Sequence, residues 1–198
     1  MANIAQATFV GGNIIIQCDG RWDCCQREQA AAKVRAMNAE LSTPPQKYIK
    51  ASVTEAMQDR KEKCQNEATR EYQSGDDDDK AQMAKDSGAP DCLAKKIEDG
   101  EEPEVQMDHP LDVKLGGAPD GVTLTPLETP VNGCFGSFAK NLGNRMRDEK
   151  QNKVESISLV CPADKKCKSS NNAGPKRKYP TDDAAKARET TYNFSALG

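Results

Sequence analysis

The 198-residue chain lacks the features of membrane-spanning and conventionally secreted proteins. Its apolar runs are short, as at residues 14–16, and fall far below the roughly 20 apolar residues that a transmembrane helix needs. No lysine or arginine precedes Arg21, and the apolar core of a secretory signal is missing. We therefore expect no membrane insertion and no Sec-dependent export.

Several residue types are scarce. Aromatic residues make up 5% of the chain, apolar residues 36% and charged residues 30%, which indicates a polar protein with a modest core. The sequence has no C-x-x-C pair, which argues against a zinc ribbon. It has one histidine, His109. A lone histidine is usually structural or simply exposed, so its neighbours decide its interpretation.

Cysteine, in contrast, is plentiful. The eight cysteines would permit four disulfides in any of 105 pairings, and free thiols are an equal alternative. Cys161 and Cys167 could close a small loop after an apolar run. If disulfides form, the protein works in an oxidising compartment that it reaches without a Sec signal.

Residues 1–75 are predicted to form a hairpin followed by helices. Two β-branched runs separated by a pair of glycines predict the hairpin at residues 8–17. Asp23 is a suitable cap for a helix that ends at Leu41, and apolar residues at helical spacing predict a second helix over 46–72. This N-terminal region is expected to be an accessory layer.

The next segment is strongly acidic. Residues 74–104 contain eleven acidic residues against four lysines, a net charge of −7. Glycines and prolines accompany this charge, so residues 76–104 are predicted to be a linker or long loop. Residues 76–80 also match an enterokinase recognition sequence. Calcium binding by the four consecutive aspartates is a weaker interpretation, because calcium loops space their ligands alternately.

The C-terminal part is basic. Residues 138–178 contain eleven basic residues against four acidic ones, a net charge of +7. This charge either pairs with the acidic segment within the fold or marks where a polyanion docks. Residues 151–198 are treated as a basic C-terminal region with one short predicted helix at 182–188.

Residues 105–150 contain the candidate catalytic and metal-binding residues. An extended stretch ending in Asp108 and His109 is followed by a Leu-Gly-Gly turn. A second short strand is predicted over 122–127, and a helix over 135–150 follows Asn132. The order is strand, turn, strand, helix, with polar residues at the two junctions.

This order resembles the HNH, or His-Me finger (ββα-metal), nucleases. The matching residues are Asp108, His109, Leu115, Gly116, Gly117, Leu124, Leu127 and Asn132. The resemblance implies an α+β fold, mainly helical, with a ββα-metal core in residues 105–150. It also implies a metal-dependent endonuclease that hydrolyses phosphodiester bonds. His109 would be the general base, and Asp108 and Asn132 would bind Mg²⁺ or another divalent cation.

The residue types suit that reaction. A neutral imidazole can take the proton of an attacking water, and a cation beside the phosphate neutralises the charge that develops on the leaving oxygen. Carboxylate and carboxamide oxygens are hard ligands that Mg²⁺ accepts. Neighbouring residues on a strand point to opposite faces, so Asp108 and His109 can share a site only if the strand ends or bulges there.

The chain also departs from the family pattern. Thr123 stands where the family often has an asparagine that orients the histidine, so a hydroxyl or a backbone carbonyl must do that work. The single histidine excludes sites that need two or three. Asp112, Asn141 and Asn144 are candidate supporting residues, each with an ordinary surface role as the alternative.

The predicted helix divides into two kinds of residue. Its apolar stripe is predicted to pack in the core, through Phe135, Phe138, Leu142 and Met146. Its basic residues, together with a basic triplet further on, are candidates for phosphate contacts. These candidate nucleic-acid-binding residues are Lys140, Arg145, Arg147, Lys176, Arg177 and Lys178.

The stretch after the Asp-His strand also resembles C-terminal toxin domains of bacterial polymorphic toxins, including type VI secretion effectors. That resemblance implies an antibacterial DNase, delivered without a Sec signal, that acts in the cytoplasm of a target bacterium. Nucleic acid, DNA in preference to RNA, and a cognate immunity protein would be its partners. Two alternatives stay open: a non-enzymatic secretion or adaptor protein that binds partners through its helices, and a disulfide-rich binding module.

Overall fold

The computed structural model describes residues 7–10, 13–42, 53–148, 154–161, 167 and 190–195. The described strands are β1 (Ala7–Val10), β2 (Asn13–Gln17), β3 (Val105–Asp108), β4 (Thr125–Glu128), β5 (Ser156–Cys161) and β6 (Thr190–Ser195). The described helices are α1 (Cys24–Ser42), α2 (Glu55–Ser74), α3 (Asp77–Asp86), α4 (Asp91–Glu98) and α5 (Thr129–Asp148), with a 3-10 helix at Val113–Leu115. The α+β class is therefore confirmed.

The larger sheet joins the two ends of the chain. Its strand order is β1-β2-β5-β6, with β2 and β5 parallel and the other pairs antiparallel. The predicted N-terminal hairpin is confirmed by the pairing of β1 with β2. Alternate residues of β2 and β5 face the core, because successive side chains on a strand point to opposite faces. These buried residues are Ile14, Ile16, Ile157 and Leu159.

Helix α1 packs against this sheet. Its start is a capping box: the backbone N–H of Gln26 donates to Asp23 Oδ1 at 2.8 Å, and Gln26 Oε1 accepts from the Asp23 backbone N–H at 3.2 Å. The predicted cap is therefore confirmed. Further along, the Asn38 amide bonds both the N–H and the C=O of Ile157 on β5. Helix and sheet are thus joined by buried hydrogen bonds as well as by apolar contact.

The prediction of a linker over residues 76–104 is wrong, because this segment forms α3 and α4. Asp76 caps α3 by accepting a hydrogen bond from the Asp79 backbone N–H at 2.9 Å. Three more aspartates follow in the first turn, where the helix dipole favours negative charge. The acidic run is therefore a helix start. The apolar faces of both helices are buried, through Ala81, Ala84, Leu93, Ala94 and Ile97.

The second predicted helix corresponds to α2. Thr54 caps α2, so this helix starts at Glu55, and the predicted start at residue 46 lies outside the described residues. The predicted helix at 182–188 and the basic triplet Lys176, Arg177 and Lys178 lie outside the described residues. Among the helices that are described, none is long and apolar enough to cross a membrane.

The two-stranded sheet of β3 and β4 lies between two hydrophobic clusters. Val105 and Met107 on β3 pack into a cluster with α2, α3 and α4, whereas Leu127 on β4 packs with the large sheet and α1. Helix α5 follows β4 at once and contacts both strands. It begins six residues earlier than predicted, so Asn132 lies within its first turn. Phe135, Phe138 and Leu142 are buried as expected, and the side chain of Met146 lies outside the description.

Three disulfides are formed in the described part of the chain. Cys18 pairs with Cys161, Cys24 with Cys167, and Cys25 with Cys92. The expectation that Cys161 and Cys167 pair with each other is therefore wrong. Cys64 and Cys134 belong to none of these disulfides. The first bridge ties the residue after β2 to the end of β5, and the other two tie the start of α1 to Cys167 and to α4.

Candidate active site

His109 lies one residue beyond β3, which ends at Asp108. The strand therefore ends between Asp108 and His109, which is the condition for these two neighbours to contribute to one site. The imidazole is 1% exposed, and its Nε2 lies 3.0 Å from the backbone carbonyl oxygen of Pro119. Because a carbonyl only accepts, neutral His109 is the tautomer with the proton on Nε2. Its Nδ1 is buried without a hydrogen-bond partner, and in this tautomer it carries a free lone pair.

The surroundings of His109 favour the neutral form. Burial lowers the pKa of His109 below its ordinary value of 6.5, since charging a buried imidazole costs solvation. The Pro119 carbonyl and the Asp108 carboxylate act in the opposite direction without reversing the shift, and the ammonium groups of Lys61 and Lys33 reinforce it. The ring is therefore a proton acceptor at neutral pH.

Asp108 is paired with a lysine that sequence reasoning missed. Lys33 Nζ on α1 lies 2.6 Å from Asp108 Oδ2, and it also donates to the backbone carbonyl of His109. The helical spacing from Ala30 and to Met37 places Lys33 on the apolar face of α1, which was a readable sign of burial. Its partner could not be read from the sequence.

Asp112 is held by a second lysine. Lys61 Nζ on α2 lies 2.6 Å from Asp112 Oδ2, and Asp112 Oδ1 accepts from the Lys114 backbone N–H at 2.8 Å, which caps the 3-10 helix. Burial alone would raise the pKa of Asp112, but the Lys61 ammonium and these hydrogen bonds outweigh it and hold the pKa below its usual value. Asp112 therefore carries a negative charge at neutral pH.

Asn132 is fixed by a neighbouring strand. Its Nδ2 donates to Gln106 Oε1 on β3 at 2.6 Å. This hydrogen bond uses the amide nitrogen, so the carbonyl oxygen Oδ1 stays free to act as a ligand. Asn132 is largely buried, and the first turn of α5 sets its direction.

One cavity brings three of the predicted residues together. It has a volume of about 180 Å³ and contacts Asp108, Asp112 and Asn132, with Lys33 and Lys61 beside the two carboxylates. On the α5 side, the cavity is lined by Phe135 and by three small residues, Gly133, Gly136 and Ala139. We call this space the Asp108 cavity. His109 is not among its lining residues, although it is the chain neighbour of Asp108.

The donor set of the Asp108 cavity suits a magnesium ion. Among the described residues, no three His, Cys, Asp or Glu side chains form a metal-binding group. Mg²⁺ does not need such a group, since it keeps several waters and takes one or two carboxylates. The carboxylate of Asp108 and the carbonyl oxygen of Asn132 are hard oxygen ligands at one cavity. In the structure, the Asp108 carboxylate is paired with the Lys33 ammonium group.

The remaining predicted residues lie elsewhere. Thr123 is exposed in the loop before β4, and the Pro119 carbonyl bonds the histidine ring in its place. Lys140 and Asn141 are exposed on α5, away from the cavity. Three further residues belong to α5, but their side chains lie outside the description: Asn144, Arg145 and Arg147.

The turn at Gly116 and Gly117 packs closely against the backbone of Leu111 and Asp112. Gly116 has a left-handed backbone (φ 92°), which a residue with a side chain rarely adopts. A Cβ atom on Gly117 would lie 1.8 Å from the backbone oxygen of Leu111, so no side chain fits there. The turn is closed by the Gly117 N–H, which donates to the Asp112 carbonyl at 3.0 Å.

We expect Gly117→Ala to damage the site as well as the fold. The added methyl group must push the backbone of Leu111 away, which should cost about 1–3 kcal/mol of unfolding free energy. Chemical denaturation would measure this loss. Gly133→Ala is the matched control, because a Cβ there meets no atom within 4 Å. Equal stability of the two variants would contradict the packing argument.

Comparison with protein-family models, curated proteins and solved structures finds no match.

Proposed function

We propose that the protein is a metal-dependent endonuclease and that its active site is formed by His109 and the Asp108 cavity. One observation carries the proposal: a neutral histidine with a free Nδ1 lone pair directly follows an aspartate that lines a cavity. A histidine kept only for packing would not need to have one nitrogen fixed by a backbone carbonyl and the other left without a partner.

His109 is the general base in this proposal. The Pro119 carbonyl holds the proton on Nε2, so Nδ1 is the atom that takes the proton from an attacking water. As Nδ1 becomes protonated, the imidazolium gains stabilisation from the nearby Asp108 carboxylate. Because Nδ1 is buried, water reaches it only when the residues that cover the ring move aside.

Asp108 and Asn132 hold the divalent cation, Mg²⁺ in the simplest case. When bound, this ion supplies positive charge to the phosphate and to the leaving oxygen. Gln106 does part of the positioning, because its side-chain oxygen accepts from the Asn132 amide nitrogen and so sets the direction of the Asn132 carbonyl oxygen.

Nucleic acid is the proposed substrate, with DNA preferred to RNA. Lys140 is exposed on the same helix as Asn132 and can meet a phosphate outside the cavity. We further propose that the protein is an antibacterial toxin that acts in the cytoplasm of a target bacterium and is neutralised by a cognate immunity protein. This part rests on the resemblance of residues 105–150 and of the stretch after the Asp-His strand.

A plasmid-nicking assay tests the proposal. Purified protein with Mg²⁺ should convert supercoiled plasmid to nicked circles, and EDTA should prevent it. Asn132→Ala should lower the rate at least about tenfold, since it removes a proposed ligand. Asn141→Ala is the matched control, because that asparagine is exposed on the same helix.

The outcomes separate the candidate functions. An RNA substrate run in parallel distinguishes a DNase from an RNase. If folded protein cleaves neither plasmid nor RNA with Mg²⁺, the nuclease proposal is wrong, and the search turns to binding partners.

A further inference from the structure

The Asp108 carboxylate is already paired with a positively charged side chain. Lys33 Nζ lies 2.6 Å from Asp108 Oδ2 and also donates to the backbone oxygen of His109. The side chains of Lys33 and Asp108 are only 6% and 11% exposed, so water screens this pair weakly. The ammonium group is bound by oxygens of the two residues that the nuclease proposal places at the centre of the site.

The charges around the Asp108 cavity balance without any added ion. Lys33 and Lys61 supply two positive charges, and Asp108 and Asp112 supply two negative ones. A divalent cation at Asp108 would raise the local charge to +2 and would lie beside the Lys33 ammonium. Two like charges so close in a buried setting repel strongly. Lys33 and the divalent ion therefore cannot both hold Asp108 favourably.

We propose that Lys33 is a built-in competitor of the metal ion: its ammonium occupies Asp108 until a divalent cation displaces it. The proposal rests on the proposed function, because it takes Asp108 as a metal ligand. Lys33 lines the cavity as well as contacting Asp108, so the displaced ammonium stays beside the metal. A phosphate group is the ligand that offsets the excess positive charge. Metal and substrate phosphate then bind cooperatively, and the metal alone binds weakly.

Lys33 comes from α1, far along the chain from β3. The competition is therefore a property of the whole fold, in which the N-terminal layer controls the metal affinity of residues 105–150. Lys61 differs from Lys33 because its carboxylate partner, Asp112, is not a proposed metal ligand.

Direct metal binding tests this inference without an activity assay. Mn²⁺ is the probe, and the free ion is measured by electron paramagnetic resonance during titration. Lys33→Met removes the competing charge and should tighten Mn²⁺ binding by on the order of tenfold, within the range typical of coupled binding sites. Lys33→Arg keeps the charge and should bind Mn²⁺ like the unaltered protein.

Two further variants control for misfolding and for the general effect of removing a lysine. Lys33→Gln keeps a hydrogen-bond donor opposite Asp108, so it provides the same test if Lys33→Met does not fold. It should also bind Mn²⁺ more tightly. Lys96→Met removes a different, largely buried lysine, one that bonds Asp23 and Glu128, and it should leave the affinity unchanged.

The double variant Lys33→Met/Asp108→Asn locates the ion. It should lose the gain in affinity, because the amide no longer attracts the cation. A gain that persists in the double variant would place the ion elsewhere and overturn the inference.

The results distinguish this inference from the nuclease proposal. Suppose that the unaltered protein binds Mn²⁺ and cleaves plasmid, but that Lys33→Met and Lys33→Gln bind Mn²⁺ no more tightly than it does. The proposed competition between Lys33 and the metal is then wrong, and the nuclease proposal stands. If neither the unaltered protein nor these variants bind Mn²⁺, and plasmid stays intact, both are wrong.

Discussion

Replacing His109 with glutamine should lower the rate of plasmid cleavage by about 10²- to 10⁴-fold, the usual contribution of a general base. The glutamine amide nitrogen can reproduce the Nε2 donor to the Pro119 carbonyl, so the buried hydrogen bond has a replacement. The substitution removes the Nδ1 lone pair, which is the atom that the proposal uses. Circular dichroism and thermal unfolding should show a folded protein, while the cleavage assay shows the loss.

The pH dependence gives a second readout of the same residue. The folded-state pKa of His109 lies below its ordinary 6.5, so the ring is neutral above that pH in both the folded and the unfolded chain. As pH falls below 6.5, the unfolded chain binds a proton first, and stability declines until the folded-state pKa is passed. Activity should fall over the same acid range, because a protonated ring accepts no proton. His109→Gln should remove this contribution to the pH dependence of stability.

Three outcomes would contradict the role of His109. Cleavage at full rate by His109→Gln would exclude the histidine as the base. Unfolding of both His109→Gln and His109→Ala would indicate a structural histidine. An activity that rises as pH falls below 6.5 would have the wrong sign for a neutral base.

Reduction of the disulfides should cause the largest loss of stability. The bridges close loops with sequence separations of 143, 143 and 67 residues. In the chain-entropy model, one bridge across a loop of this size contributes about 4–5 kcal/mol, and typical measured values are about 2–4 kcal/mol. Because one cysteine of each bridge lies within residues 18–25, the three contributions will not simply add. Guanidinium denaturation with and without a reductant would measure the effect as a fall in the midpoint.

Paired cysteine variants distinguish the stability contributed by a disulfide from the effect of replacing cysteines that form none. Cys25→Ala with Cys92→Ala should lower the midpoint clearly, because it removes the bridge between α1 and α4. Cys64→Ala with Cys134→Ala is the control, since neither cysteine is in a disulfide and both are only partly buried. Equal midpoints for the oxidised and the reduced protein would show that the bridges do not stabilise the fold.

The same experiment bears on where the proposed toxin works. Disulfides persist in oxidising compartments and are reduced in most bacterial cytoplasms. If the protein acts in a target cytoplasm, cleavage should survive reduction for at least as long as the reduced chain stays folded. Measuring the nicking rate after reduction, alongside the denaturation midpoint, would test this.

The sequence determined the elements that depend on near neighbours. The reciprocal cap at Asp23 and Gln26 and the hairpin of β1 and β2 follow from contacts within a few residues. The pairing of β3 with β4 and the apolar stripe of α5 follow from local spacing. The acidic segment is ambiguous for a local reason as well: a run of like charge is typical of a solvated loop, but Asp76 followed by three aspartates is also a good helix start.

The tertiary structure alone decided how distant residues meet. Lys33 and Lys61 lie on helices far along the chain from Asp108 and Asp112, and nothing in the spacing of either lysine identifies its carboxylate. The Pro119 carbonyl bonds the His109 ring, and a backbone oxygen cannot be identified as a partner from the sequence, because every residue has one. The cysteine pairs are likewise set by contacts between distant elements, such as the pairing of β2 with β5 for Cys18 and Cys161 and the approach of α1 to α4 for Cys25 and Cys92. Local preferences act over a few residues, whereas these contacts depend on the packing of whole elements.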